Sequence, residues 1–216
     1  MDEEMSHFFS NVPGFMVTAF LLAMVPGQGV AMILRQSILG GTRAALFSVL
    51  GNSSGLVIWG TLSSLGLSAI FAASPTAYNL LKWCGVGFLA FLSIQTLAEL
   101  KNEMGKFQLE GEVKSSPLAA YRVGIFTNLT NVKAAVFAVA FIPAFVPKEI
   151  NLGLGIFILG WVWALTSMSW YVILIAMVDR ASIFLAKPKI RRVLTGLSAL
   201  GILALAVGLA LSKQHA

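Results

Sequence analysis

Six apolar segments dominate the sequence, and each is close to the length that an α-helix needs to cross a lipid bilayer. About 20 helical residues, rising 1.5 Å each, span a hydrocarbon core of ~30 Å. Only 11% of the residues are charged and 57% are hydrophobic, whereas soluble domains carry about 25% charged residues. We therefore predict an all-α integral membrane protein. Its six transmembrane helices are expected at residues 12–34, 46–71, 80–97, 124–146, 152–178 and 194–211.

Positive charge is concentrated in alternate loops. Most of the 15 Lys and Arg residues follow the first, third and fifth segments. Because cytoplasmic loops carry an excess of Lys and Arg, both termini are predicted to be periplasmic in a multi-pass protein of the bacterial inner membrane. This distribution also accounts for the net charge of +6 without a nucleic-acid partner. The residues are Arg35, Arg43, Lys101, Lys106, Lys114, Arg122, Arg180, Lys187, Lys189, Arg191 and Arg192.

The longest polar stretch, residues 99–123, is predicted to be a cytoplasmic linker between two halves, 1–98 and 124–216. Each half contains three segments. Because three is an odd number, a duplicated half would lie upside down relative to the first, so we predict two inverted three-helix repeats. Interruptions in segments one and four are consistent with this symmetry. Further matching positions are Gly55 and Trp59 in segment two, and Gly160 and Trp163 in segment five.

The first segment is interrupted by Pro26-Gly27-Gln28-Gly29. Proline removes a backbone donor and glycine adds backbone freedom. Such a break is either a tolerated proline kink or one of the broken helices with which secondary transporters build a substrate site. In the second case, the N–H groups of a half-helix N-terminus would favour a carboxylate, and Gln28 would add a donor and an acceptor.

Lys133 is the one charged residue predicted to lie inside the membrane. If the fourth helix begins at Gly124, Lys133 lies roughly 13–14 Å deep. If it begins nearer Asn131, the side chain reaches the cytoplasmic surface. Buried membrane charges are costly and usually functional, whereas small polar residues such as Asn52 also serve helix packing. The predicted substrate-binding residues are Pro26, Gly27, Gln28, Gly29, Asn52, Asn128, Asn131 and Lys133.

The sequence lacks the usual side chains of an enzyme or a metal site. Cys84 is the single cysteine, His7 and His215 lie near opposite ends, and the apolar segments contain no evident Asp or Glu. We therefore expect no catalytic residues, no metal and no cofactor. Small residues in segment six permit packing against another helix or a homodimer. Five aromatic residues are expected to line either a cargo path or the membrane interfaces: Trp59, Trp161, Trp163, Trp170 and Tyr171.

Two motifs at this spacing resemble the LysE/RhtB family of bacterial amino-acid exporters. Pro26-Gly27-Gln28 stands where that family has Pro-Gly-Pro, and Asn131-Val132-Lys133-Ala134 stands where it has Asn-Pro-Lys-Ala. The resemblance covers nearly the whole chain. It implies export of amino acids or related small molecules from the cytoplasm, driven by the proton gradient.

Two residues depart from the family pattern. Gln28 and Val132 replace prolines and restore backbone donors, which could straighten the helices, alter the cargo, or both. The alternatives to an amino-acid exporter are a non-transporting membrane scaffold and an exporter of another solute, such as a metal ion.

Overall fold

The computed structural model describes residues 2–25, 27–99, 116–178 and 188–211. Within these ranges all regular structure is helical. The α-helices described in these ranges are α1 (Asp2–Met24), α2 (Gln28–Ala73), α3 (Pro75–Glu99), α4 (Pro117–Leu129), α5 (Val132–Val136), α6 (Leu152–Ala176) and α7 (Pro188–Leu211).

Several sequence predictions concern residues outside the described ranges. Among the predicted site residues this applies to Pro26. Most of the predicted linker, residues 100–115, and much of the basic loop before α7, residues 179–187, also lie outside them.

The first predicted helix, 12–34, is instead two helices. α1 begins at Asp2 and ends at Met24, and α2 begins at Gln28. α2 then continues to Ala73, interrupted only at Gly41, where φ is 77° and ψ is 174°. A positive φ is accessible to glycine at little cost. The loop predicted around Arg35 and Arg43 is therefore largely helical, with one break.

The fourth predicted helix, 124–146, begins earlier, because Ser116 and Pro117 form a helix start. The Ser116 hydroxyl accepts a hydrogen bond from the Ala119 N–H at 3.2 Å, and Pro117 occupies the first turn, where no donor is needed. Part of the predicted linker, 117–123, is thus helical. α4 ends at Leu129, and the helical segment that follows is bent from it by 57°.

The segment after this bend changes its helical geometry twice. α5 passes into a π-helical turn, Phe137–Phe141, and then into a 3₁₀ turn, Ile142–Phe145, that contains Pro143. Such π turns appear mostly as local bulges and are frequent at functional sites.

Two helices in the described ranges are long and apolar enough to cross a membrane alone, Gln28–Gly66 and Leu152–Ala176. The bent pair Pro117–Leu129 and Val132–Phe145 passes the same criterion as one span. The six-span arrangement therefore stays a prediction. The shorter apolar helices are Phe8–Met24 and Ala199–Leu211.

Glycines allow α2 to approach α4 very closely. A Cβ at Gly51 would overlap the Tyr121 carbonyl oxygen, and a Cβ at Gly124 would overlap the carbonyl oxygen of Ser48. Beside this contact the Ser48 hydroxyl donates to the Ala120 carbonyl at 3.0 Å. Small residues at the crossing thus let the two backbones touch, as is common in membrane helix pairs.

α2 crosses α6 in the same way at Gly60 and Gly160. A Cβ on either glycine would lie 2.9 Å from the Cα of the other, closer than side chains tolerate. α1 also packs on α6, and α3 packs on α7. The Ser93 hydroxyl on α3 donates to the Ala199 carbonyl on α7 at 2.8 Å.

An aromatic cluster joins α1, the π turn and α6. Phe137 lies 4.9 Å from both Phe141 and Trp163, measured between ring centroids, and 5.9 Å from Phe15. Such ring contacts contribute about 0.5–1.5 kcal/mol each beyond their buried area. The cluster therefore holds the segment after Lys133 against α1 and α6.

Candidate functional site

The two helix breaks meet at Lys133. Its Nζ donates to the Leu22 carbonyl at 3.2 Å and to the Val25 carbonyl at 3.5 Å, both at the C-terminal end of α1. Within the described part of the chain, no acidic side chain contributes to these contacts. The ammonium is thus held by backbone carbonyls alone.

Pro26 explains why the Leu22 carbonyl can accept this cation. In a continuous helix this carbonyl would accept the N–H of residue 26, but proline has none. The Val25 N–H donates to Leu22 at a longer 3.3 Å, which leaves the second lone pair for Lys133. The C-terminal end of a helix also carries a partial negative charge. The sequence therefore creates an acceptor site for a cation at this point.

The opposite end of the same break has the opposite polarity. α2 begins at Gln28, and its first N–H groups have no acceptor within the helix. Gly27 lies beside Lys133, because a Cβ there would be 3.7 Å from Nζ. The break therefore brings the negative end of α1, the positive end of α2 and one ammonium close together.

Lys133 is positioned by the second break. The Asn131 side chain accepts a hydrogen bond from the Lys133 N–H at 3.1 Å and so caps the N-terminus of α5. Lys133 is the second residue of α5, and the 57° bend directs this segment toward α1. The first of the two predicted depths for Lys133 assumed an unbroken helix from Gly124. The capped break shows that the helix carrying Lys133 begins at Val132, next to Asn131, so its depth in the membrane stays a prediction.

A small cavity adjoins the ammonium. Its volume of about 20 Å³ is enough for about one water molecule. Trp163, Ser167 and Tyr171 contribute one wall from α6, where their spacing of four residues places them on a single face. The remaining lining residues are Leu22, Ala23, Leu56, Asn128, Asn131, Lys133 and Ala134.

Two asparagines connect this cavity to α2. The Asn128 side-chain amide donates to the Asn52 side-chain oxygen at 3.2 Å, and both residues are at most 2% exposed. The Trp59 indole donates to the Asn128 carbonyl at 3.4 Å. Among the described residues the Asn128 side-chain oxygen has no hydrogen-bond partner, and it lies against Gly55 of α2, where a Cβ would be 2.7 Å from it. A buried unpaired acceptor is costly.

A larger apolar cavity lies on the other side of the α1 terminus. Its volume is about 380 Å³, and both Leu22 and Val25 line it. Phe141 at the end of the π turn and Phe145 in the 3₁₀ turn border it, and Gly201 borders it from α7. Leu22 therefore lies between the small and the large cavity, whereas Val25 borders the large cavity.

The structure gathers some of the predicted site residues and separates others. Asn128, Asn131 and Lys133 line the small cavity, and Gly27 borders Lys133. Asn52 contacts Asn128. The other two predicted site residues that the structure describes, Gln28 and Gly29, lie at the start of α2. Gln28 is exposed, whereas Gly29 is buried against Tyr171.

The aromatic residues separate in the same way. Trp163 and Tyr171 line the small cavity. Trp161 is 47% exposed on the outside of α6, and Trp170 packs edge-on against Phe20 at 5.6 Å. Trp59 acts through its hydrogen bond to the Asn128 carbonyl.

Sequence reasoning missed the carbonyls of Leu22 and Val25 and the side chain of Ser167. The carbonyls could have been found, because a proline at position 26 frees the acceptor four residues earlier. Ser167 could have been found from its four-residue spacing between Trp163 and Tyr171 on α6.

The departures Gln28 and Val132 do not straighten the helices. α1 still ends at Met24, and Gln28 is the first residue of α2. Val132 is the first residue of α5, a position at which proline and other residues are both accepted. Pro26 and the Asn131 cap are sufficient for the two breaks.

The comparisons with known proteins agree with this architecture. A family model described as LysE type translocator matches residues 20–213. An uncharacterized membrane protein of Bacillus subtilis is 24% identical over 193 residues, which cover 85% of this chain and 91% of the relative. No solved structure matches this chain.

Two named efflux proteins are also similar. A homoserine/homoserine lactone efflux protein of Salmonella typhimurium is 32% identical over 142 residues, which cover 62% of this chain and 64% of the relative. A leucine efflux protein of Salmonella choleraesuis is 24% identical over 132 residues, which cover 61% of each. The chain thus spans a little under two thirds of the length of these two relatives.

Proposed function

The chain belongs to the LysE type translocator family, and from this premise we propose that it is a secondary transporter that exports amino acids or related small metabolites across the bacterial inner membrane. The observation that carries the proposal is the contact between the two helix breaks at Lys133. Relatives named as homoserine/homoserine lactone and leucine efflux proteins support the direction of transport and the kind of cargo.

The cargo carboxylate would bind on the positive side of the break. Lys133 supplies an ammonium, and the N-terminus of α2 around Gln28 and Gly29 supplies unpaired N–H groups. Asn128 and Asn131 line the cavity beside it. Half-helix ends serve the same purpose in other transporters whose substrates bind near the bilayer midplane.

The proposed architecture is two inverted three-helix repeats with both termini in the periplasm. If the two halves were exchanged, α1 would take the place of α4, α2 that of α6, and α3 that of α7. The contact between α1 and α6 would then correspond to the contact between α4 and α2, and the contact between α3 and α7 would correspond to itself. The crossing of α2 and α6, where Gly60 meets Gly160, would correspond to itself. The two broken helices occupy equivalent places in this scheme.

We propose that export is coupled to protons. Lys133 and Tyr171 are the titratable side chains that line the cavity. Among the described residues, no cluster of three or more His, Cys, Asp and Glu provides another candidate. Proton coupling would therefore act through the ammonium of Lys133.

An efflux measurement tests the proposal. Cells preloaded with a labelled amino-acid mixture should export at least one component faster with the wild type than with an empty vector. Lys133→Ala should slow this export about tenfold or more, because hydrogen bonds to a charged group contribute about 1.5–3 kcal/mol. A protonophore should stop it.

Lys148→Ala is the matched control, because Lys148 is exposed in the turn before α6. It should export at the wild-type rate at equal membrane levels. Export no faster than the empty vector would contradict the amino-acid proposal. Export of a divalent metal ion instead would favour the metal-ion alternative, and no export of any solute would favour a scaffold.

A further inference from the structure

We infer that the carbonyls of Leu22 and Val25 form a subsite for a primary ammonium group of the cargo, and that Lys133 occupies this subsite while the cargo is absent. The inference rests on the proposed function only for the identity of the cargo. The subsite itself follows from the hydrogen bonds at the end of α1.

The first step concerns the acceptors. Two carbonyl oxygens from successive turns of chain converge on one nitrogen, at 3.2 and 3.5 Å. Proline at position 26 keeps the Leu22 oxygen available, and the end of α1 adds a partial negative charge. The two acceptors and their distances fit a compact cation with several N–H donors.

The second step concerns the present occupant. A lysine ammonium has three donors, and the two carbonyls accept two of them. The third is free to reach the adjoining cavity, which has room for about one water molecule. Within the described residues no carboxylate holds this ammonium. Lys133 is therefore bound by neutral partners that another ammonium can also use.

The third step concerns charge. In the empty site one cation lies on the carbonyls. An amino acid brings one carboxylate and one ammonium, so the charge of the site stays the same when it enters. Its carboxylate attracts the Lys133 ammonium away from α1, and its own ammonium takes the vacated carbonyls. The exchange leaves no cation and no carbonyl without a partner, which keeps its energetic cost low.

This arrangement makes Lys133 a tethered substitute for the cargo amine. A cargo analogue without an ammonium would draw Lys133 away and leave both carbonyls unpaired. Such an analogue should bind about tenfold or more weakly than the amino acid. The empty carrier, in contrast, has a filled cation site whenever Lys133 is protonated.

Chemical rescue tests the subsite directly. Lys133→Ala removes three methylene groups and the ammonium, which together equal propylammonium. Purified Lys133→Ala protein should show a saturable rise of its Tm by about 2–4 °C with propylammonium, because a ligand that binds only the folded state stabilises it. The wild type should show no such rise, because Lys133 fills the subsite.

Two controls separate specific binding from a general effect of amines. Lys133→Met fills the same space without charge, so propylammonium should not raise its Tm. Propyltrimethylammonium carries the charge without an N–H donor and should not rescue Lys133→Ala. An equal response of Lys133→Met, or no response of Lys133→Ala, would overturn the inference.

Poor folding of Lys133→Ala would not prevent the test. In that case the monodisperse fraction of detergent-solubilised protein is compared after extraction with and without propylammonium, and an increase specific to Lys133→Ala supports the subsite. An unchanged fraction counts against it. Rescue in a protein whose wild type exports no amino acid would uphold the subsite and contradict the proposed function. Amino-acid export by the wild type without rescue of Lys133→Ala would uphold the proposed function and contradict the subsite.

Discussion

At the scale of single residues, the site depends on what proline and glycine leave out. Pro26 lacks the N–H that would otherwise occupy the Leu22 carbonyl, and Lys133 uses that acceptor instead. Gly29 lacks a side chain where Tyr171 needs room, since a Cβ there would lie 2.5 Å from the Tyr171 hydroxyl oxygen. The packing around the break between α1 and α2 therefore requires a residue without an N–H at position 26 and a residue without a side chain at position 29.

The contact between Gly29 and Tyr171 leads to a testable prediction. Gly29→Ala should destabilise the protein by about 1–3 kcal/mol through overpacking and should slow export. Tyr171→Phe removes the hydroxyl oxygen, which is the atom closest to the new Cβ. The double variant should therefore lose about 1 kcal/mol less stability than the sum of the losses in the two single variants. Unfolding in denaturant and the initial export rate measure both effects, and strictly additive changes would contradict the contact.

At the scale of helices, two crossings in the described part of the chain bring helix backbones into contact. α2 touches α4 at Gly51 and Gly124 and touches α6 at Gly60. Bulky apolar side chains cannot drive such contacts in lipid, because the lipid tails are equally apolar; close packing and hydrogen bonds such as that of Ser48 are needed. α2 is therefore the central element against which both halves are arranged.

Gly51→Ala should disrupt the first of these crossings. The new Cβ would overlap the Tyr121 carbonyl oxygen and lie 2.9 Å from the Ile125 nitrogen, both of which are backbone atoms that cannot move alone. We expect a loss of about 1–3 kcal/mol of stability, measured as a lower Tm of the purified protein.

The matched control for this prediction is Gly66→Ala. Gly66 lies in the same helix, but a Cβ there would meet nothing within 4 Å. Because alanine favours helix over glycine by about 1 kcal/mol, this variant should keep or raise the Tm. A similar Tm for both variants would argue against the close crossing.

At the scale of the whole molecule, the two breaks matter because they face each other. Each break alone would be a kink in a membrane helix, but Lys133 from one break binds carbonyls at the other. The contact joins the two halves of the chain at the place where the proposed cargo would bind. A movement that opens one side of the site must therefore break or exchange this contact.

The proposed topology predicts which loops face the outside. In a Cys84→Ser background, Lys148→Cys should react with a membrane-impermeant maleimide added to intact cells, because that turn is predicted to be periplasmic. Arg43→Cys, beside the break at Gly41, should react only after the membrane is made permeable. Native Cys84 is exposed and must be removed first. The opposite labelling pattern would show that the orientation in the membrane is the reverse of the proposed one.

The sequence by itself determined the helical class, the membrane environment and the place of the first break, and it indicated an interruption in segment four without placing it. These follow from local chemistry: lipid requires satisfied backbone groups, proline removes a donor, and asparagine caps a helix. It did not determine where the helices end. α1 begins at Asp2 and α4 at Pro117, because capping and packing extend them beyond the apolar core.

Only the tertiary structure decided what Lys133 contacts. Its partners are backbone carbonyls about 110 positions earlier in the chain. Pro26 indicates that the Leu22 carbonyl is free, but nothing in the sequence indicates that Lys133 reaches it. The same holds for Gln28, which is exposed, and for Ser167, which lines the cavity. Residue types and spacing predict which groups are available locally, but the crossing of α2 with α4 and α6 determines which of them meet.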